Sequence, residues 1–216
     1  MFNRTTVYIL VAALAAGLGL WASTHHFGPV AASAEAPALQ AVRLFEPARE
    51  LPAFDLAQSD GTPLEPAELQ GHWTLVFLGF THCPDICPTT LAELARAQKA
   101  WEAIADATRP RVLFVSVDPE RDTPELIGQY AHAFHGDTLA ATGSLPAVEA
   151  FATSLSMVFS KAPPPEGYPA DQYTINHSAT IAVLDPQGRM AGLVRPPFEP
   201  MKIAADLQAL TAAGSP

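Results

Sequence analysis

Cysteine is nearly absent from this chain, which has two, at positions 83 and 87. Two thiols are too few for an iron–sulfur cluster held by one chain, or for a structural zinc site built from cysteine alone. Positive charge is scarce as well: 12 Lys and Arg stand against 22 Asp and Glu, a formal net charge of −10. A phosphate-binding surface needs clustered basic residues, and no run of Lys or Arg occurs, which argues against nucleic acid as a partner. There is also no Gly-rich phosphate loop, no Ser-His-Asp arrangement and no internal repeat. An acidic surface can attract cations, although solubility is its plainer use.

What is present begins with 49% apolar residues in 216, enough for one domain of ordinary size plus an appendage. Thr5 to Thr24 is twenty residues without a charge, long enough as a helix to span the hydrocarbon of a bilayer. Arg4 precedes it, and no Lys or Arg follows until Arg43. The positive-inside rule then leaves the N-terminus in the cytoplasm and the rest outside. Two readings compete, an uncleaved anchor and a signal sequence cut at Ala32-Ser33-Ala34. That site lies far beyond the apolar run, and Trp21 suits a membrane interface, so the anchor is preferred. The expected organisation is an anchor over 1–24, a linker over 25–50 rich in Ala and Pro, and a globular domain over 51–213. The adjacent His25 and His26 are read as solvated linker residues.

The two cysteines sit in Gly79-Phe80-Thr81-His82-Cys83-Pro84-Asp85-Ile86-Cys87-Pro88-Thr89-Thr90-Leu91. An apolar β-type run precedes this stretch and a helical pattern follows it. Helix N-termini present unpaired N–H groups and partial positive charge, which favour thiolate over thiol. A Cys83–Cys87 disulfide would close a very short loop and contribute little stability, so redox or metal chemistry explains the pair better than stapling. If the turn after Cys83 is helical, both sulfurs lie on one face and can reach one ion. Soft thiolates suit Cu(I), which tolerates low coordination numbers.

Along the chain, 54–64 reads as a small hairpin with an Asp60-Gly61 turn. Strands are expected at 74–80, 111–117, 178–184 and 189–195. Helices are expected after the cysteines, from Thr123-Pro124, over 145–155, and at the C-terminus. The Pro-rich 162–169 reads as loop. This order predicts an α/β domain with a thioredoxin-like sheet, an N-terminal hairpin and insertions, preceded by one transmembrane helix. His177 precedes the strand 178–184. Should that strand run antiparallel to 74–80, His177 arrives at the end of the sheet where the cysteines sit; the alternative is a histidine that merely ends a strand. His82 is expected to point away from Cys83. Asp118 and Asp122 are assigned to a turn and cap, and Met157, Met190 and Met201 to core or surface.

The cysteine stretch closely resembles the Sco/SenC family of copper chaperones. Support comes from Ser116-Val117-Asp118-Pro119-Glu120-Arg121-Asp122-Thr123-Pro124-Glu125 and from Asn176-His177-Ser178-Ala179 followed by Leu184-Asp185-Pro186-Gln187-Gly188. The resemblance implies a thioredoxin-like domain binding copper, as Cu(I) or Cu(II), through Cys83, Cys87 and His177. It further implies a periplasmic metallochaperone, single-pass in a bacterial inner membrane, serving the dinuclear copper centre of cytochrome c oxidase. The copper-bearing oxidase subunit is then the expected partner, with a periplasmic copper donor or a thiol reductase as further candidates. Two rival readings share the same residues. One is a thiol–disulfide oxidoreductase acting through Cys83 and Cys87 on the oxidase's copper-site cysteines, the other a redox or copper sensor.

Overall fold

The computed structural model describes residues 3–26, 38–164, 166–167 and 169–214, with side chains given for all of these but 23–26. The candidate cleavage site Ala32-Ser33-Ala34, the side chains of His25 and His26, and Pro165 and Tyr168 of the Pro-rich loop lie outside the described residues. The chain divides into two units, Met1–Ala38 and Leu39–Pro216.

The first unit contains helix α1 (Arg4–His26), of which Arg4–Ala22 is long and apolar enough to cross a membrane. The second unit begins with strands β1 (Val42–Arg49) and β2 (Ala57–Gln58), then β3 (Thr74–Gly79), α2 (Ile86–Trp101) and β4 (Arg111–Ser116). It continues with α3 (Pro124–His132), β5 (Leu139–Thr142), α4 (Leu145–Ser154), β6 (Phe159–Ala162) and β7 (Thr174–His177). Last come β8 (Ile181–Leu184), β9 (Met190–Val194) and α5 (Pro200–Ala213).

Seven strands form one sheet in the order β1-β9-β8-β3-β4-β5-β2. The centre is parallel: β3 pairs with β4 from Thr74↔Arg111 to Gly79↔Ser116, and β4 pairs with β5. Strand β8 runs antiparallel to β3, with Thr74 opposite Leu184 and Val76 opposite Ala182. Every residue of β3 and β8 is buried, which is why both read as continuous apolar runs rather than alternating ones. Helix α2 turns Leu91, Leu94 and Trp101 inward at helical spacing. Its Trp101 Nε1 donates to Ala204 O of α5 at 3.1 Å, so the two helices pack together. Thr123 caps α3 as expected, its hydroxyl accepting from the Leu126 N–H at 3.3 Å, with Pro124 as the first helical residue. Such α/β architecture is the thioredoxin-like fold.

The structure adds strands that composition conceals. Strand β1 lies in a segment read from the sequence as linker, yet it pairs with β9 at the sheet edge. Only Val42 of its residues is fully buried, and Pro47 interrupts it, so it lacks the alternation by which a strand is recognised. Strand β5 is Leu-Ala-Ala-Thr, a composition with no β preference, and its neighbours β4 and β2 make it a strand. The Asp60-Gly61 hairpin forms, with Leu64 N donating to Leu56 O at 2.7 Å and Gly61 at φ 83°, and it lends β2 to the sheet. Strands β6 and β7 make a separate two-stranded sheet, so His177 closes a strand of its own rather than merely preceding β8.

The start of the sheet is fastened by a buried carboxylate. Asp206 of α5 accepts from the backbone N–H groups of Gln40, Ala41 and Val42 at 2.7–3.0 Å. Replacing Asp206 by Ala leaves these donors without that acceptor and is expected to lower unfolding stability by about 1–3 kcal/mol. Asp206→Asn should lose less, because an amide oxygen still accepts. Urea unfolding of the two variants checks the order.

Candidate metal centre

The thiols sit where β3 gives way to α2. A turn at Phe80–Cys83, closed by Cys83 N donating to Phe80 O at 3.2 Å, drops the chain beneath the helix. Cys83 lies in this turn and Cys87 in the first turn of α2, which begins at Ile86. The sulfurs are therefore not on one helical face, as the spacing had suggested. They meet because Cys83 Sγ takes the place of a helix cap. It accepts from the Cys87 N–H at 3.4 Å, whereas the N-cap residue Asp85 makes no side-chain cap bond.

Asp122 holds the turn in place. Its buried carboxylate accepts from Thr81 N at 3.0 Å and from the hydroxyls of Thr81 and Ser116. The loop that follows β4 thus braces the loop that follows β3. Gly79 matters for a different reason: a Cβ there would lie 2.9 Å from Cys87 Sγ and 2.8 Å from the Phe114 ring. Only glycine lets the strand run this close to the sulfur.

His177 is the last residue of β7. Its Nδ1 lies 3.1 Å from Ser178 O, and a carbonyl only accepts, so Nδ1 carries the proton. Nε2 is left with a free lone pair, aimed at Cys87 Sγ 3.4 Å away. The rings of Phe77 and Phe80 meet the imidazole edge-on at 5.9 and 6.1 Å. The ligand atoms of Cys83, Cys87 and His177 all lie within 4.8 Å of one another. An ion about 2.3 Å from each of three ligands in a plane holds them roughly 4 Å apart, so closing on one ion takes a movement of less than about 1 Å.

Burial governs the protonation of these groups. It pushes the Cys87 thiol far above its usual range, aided by the hydrogen bond with Cys83, and pulls the His177 imidazole down, against the opposing bond to Ser178. Burial thus favours the neutral forms of Cys87 and His177, and an ion entering the site must displace the Cys87 proton. Entry is open on the other side. A cleft of about 300 Å³ runs over Cys83 and His177, between Pro84–Ile86 and the 174–177 strand.

The remaining expectations have plain outcomes. His82 is exposed, with Nδ1 3.0 Å from Thr81 Oγ1, and is not among the converging ligands. Asp118 and Asp122 occupy the turn before α3. Met157 and Met190 are buried and Met201 is exposed, and none joins the site. Tyr130 of α3 borders the site. Its hydroxyl is buried without a hydrogen-bond partner among the described residues, and its ring packs on Phe114, which in turn neighbours Cys87.

A family model, SCO1/SenC, matches residues 44–212. The chain belongs to the SCO1/SenC family. Among similar proteins of known sequence is one from Stutzerimonas stutzeri described as a putative copper-binding protein, 31% identical over 153 residues, 70% of this chain and 72% of the relative. The mouse mitochondrial protein SCO2 homolog is 36% identical over 135 residues, 62% of this chain but only 52% of that protein's length. Among solved structures, Bradyrhizobium japonicum ScoI with copper bound is 33% identical with a TM-score of 0.64, covering 74% of this chain and 98% of that one.

The two thiols should react unequally. Iodoacetamide at pH 8 is expected to alkylate half-buried Cys83 well before Cys87, which is fully buried and held as the thiol. Peptide mass spectrometry after short exposure reads the order, and equal labelling of both would contradict this account of the site.

Proposed function

We propose that this SCO1/SenC chain is a copper metallochaperone, tethered to a bacterial inner membrane by α1 with its domain in the periplasm. Cys83 and Cys87 hold Cu(I), and His177 joins them for Cu(II). The cargo passes by ligand exchange to the copper-bearing subunit of cytochrome c oxidase, where the dinuclear centre is assembled. The observation that carries this reading is the convergence of two sulfurs and one imidazole nitrogen within 4.8 Å. Two soft donors satisfy Cu(I), and an added imidazole suits Cu(II). The copper-bound relative and the relative described as copper-binding support the choice of metal. The open cleft supports exchange, since an incoming ligand can reach the ion from the Cys83 side. Both thiols must be reduced to bind, so a Cys83–Cys87 disulfide is the off state.

A second reading draws on the position of Cys83. A half-exposed sulfur beside a helix start, with a second thiol in reach, also suits thiol–disulfide exchange with the oxidase's own cysteines. That reading gives no work to His177, which a disulfide exchanger does not need, and the directed lone pair of Nε2 therefore favours the chaperone. A sensor of copper or redox state would use the same three groups.

Metal content separates the readings. The full chain, purified reduced and loaded with copper, is expected to hold one ion, and adding Cu(II) should give a thiolate-to-copper charge-transfer band. Cys83→Ser and Cys87→Ser should each abolish stoichiometric binding. His177→Ala should weaken Cu(II) more than Cu(I). Full copper retention in either cysteine variant would overturn the site.

A further inference from the structure

The imidazole belongs to a strand that packs on the main sheet without pairing with it. Among the described residues strands β6 and β7 pair only with each other, from Phe159↔His177 to Ala162↔Thr174, and an isolated two-stranded hairpin is marginal in water. Residues 178–180 then lead to β8 without regular structure. Something outside the hairpin has to fix how far His177 reaches toward Cys87.

Arg121 does this from the loop after β4. Its Nη1 donates to the backbone carbonyls of Asp171 and Tyr173, each at 3.1 Å, on the approach to β7. The guanidinium lies over the Tyr173 ring at 3.6 Å and 5.9 Å from the centre of the Phe80 ring, which itself meets His177. Asp118 completes the arrangement. Its carboxylate pairs with Arg121 Nε and accepts from the Tyr173 hydroxyl at 2.6 Å. Lys161 of β6 lies 3.7 Å from the same ring centre, so Tyr173 is gripped between two cations. Along the strand Tyr173, Ile175 and His177 alternate onto the inward face, while Thr174 and Asn176 are exposed. A grip on Tyr173 therefore sets the rotation of β7, and with it the direction of the imidazole.

We propose that Arg121 is a positioning residue that sets the reach of His177, and through it the site's hold on Cu(II) relative to Cu(I). The inference rests on the copper reading above. Two cysteines bind Cu(I) wherever the hairpin lies, whereas Cu(II) needs the third ligand brought close. Lysine is not a substitute: its single ammonium cannot bond the carbonyls and Asp118 from separate nitrogens, and it has no plane to stack on tyrosine.

The test compares full-length wild type with Arg121→Ala, Arg121→Lys and, as reference, His177→Ala. Both Arg121 variants should bind Cu(I) as the wild type does and lose about ten- to a hundredfold in Cu(II) affinity, with the charge-transfer band shifted toward that of His177→Ala. Without copper, amide exchange at Ile175 and His177 should speed up in these variants while β3 and β4 stay protected. Should Arg121→Ala exchange faster throughout β3 and β4, Arg121→Lys carries the test alone. Wild-type Cu(II) affinity in the Arg121 variants, with His177→Ala weakened, overturns the proposal and leaves the copper reading standing. If the wild-type chain takes up no copper, the copper reading falls; unchanged exchange at Ile175 and His177 in the Arg121 variants overturns the positioning role.

Discussion

The antiparallel ladder between β8 and β3 is the constraint on which the site depends. It sets Leu184 opposite Thr74 and Ala182 opposite Val76, so the chain entering β8 comes from the end where β3 leaves the sheet. The same end carries the turn with Cys83 and the first turn of α2 with Cys87. Cys83, Cys87 and His177, from distant parts of the chain, meet there without any long-range disulfide or dedicated domain. The cost of their meeting is desolvation: Cys87 is fully buried and its thiol resists ionisation. A thiophilic cation can meet that cost because each metal–sulfur bond replaces a proton.

Around this ladder the loops are tied to one another more than to solvent. Asp122 links the turn after β3 to the end of β4, and Asp118 and Arg121 link the loop after β4 to β7. The turn that carries Cys83 and the segment that leads to His177 are thus both braced by one stretch, 116–122. The sequence reading assigned Asp118 and Asp122 to local turn and cap, and they do lie there. Their carboxylates, however, act on other loops. Local patterns report a residue's backbone role, while the target of its side chain is a tertiary matter.

Legibility followed burial and periodicity. Strands β3, β4 and β8 were evident as apolar runs, and α2 and α3 by inward stripes and, for α3, the Thr123-Pro124 start. The thioredoxin-like order followed from them. The edge and accessory strands were not evident: β1 is mostly exposed and broken by proline, β5 is rich in alanine, and β6 has an exposed middle. Cys83 and Cys87 stood out because nothing else in the chain competes with them. His177 needed topology and the family resemblance together to be chosen over a strand-ending histidine. Arg121 stood in the 116–125 motif without a role of its own, and its pairing with Tyr173 gave no signal, since a stack between residues so far apart leaves no spacing to detect.

The two borders of the main sheet share a property that bears on how copies of this domain meet one another. Strand β1 covers one border with Arg43, Glu46 and Arg49 along it and Pro47 interrupting it, and the other ends in β2, only two residues long. Neither offers a long, flat template on which another copy's strand could add. The domain is thereby protected from stacking border to border into aggregates.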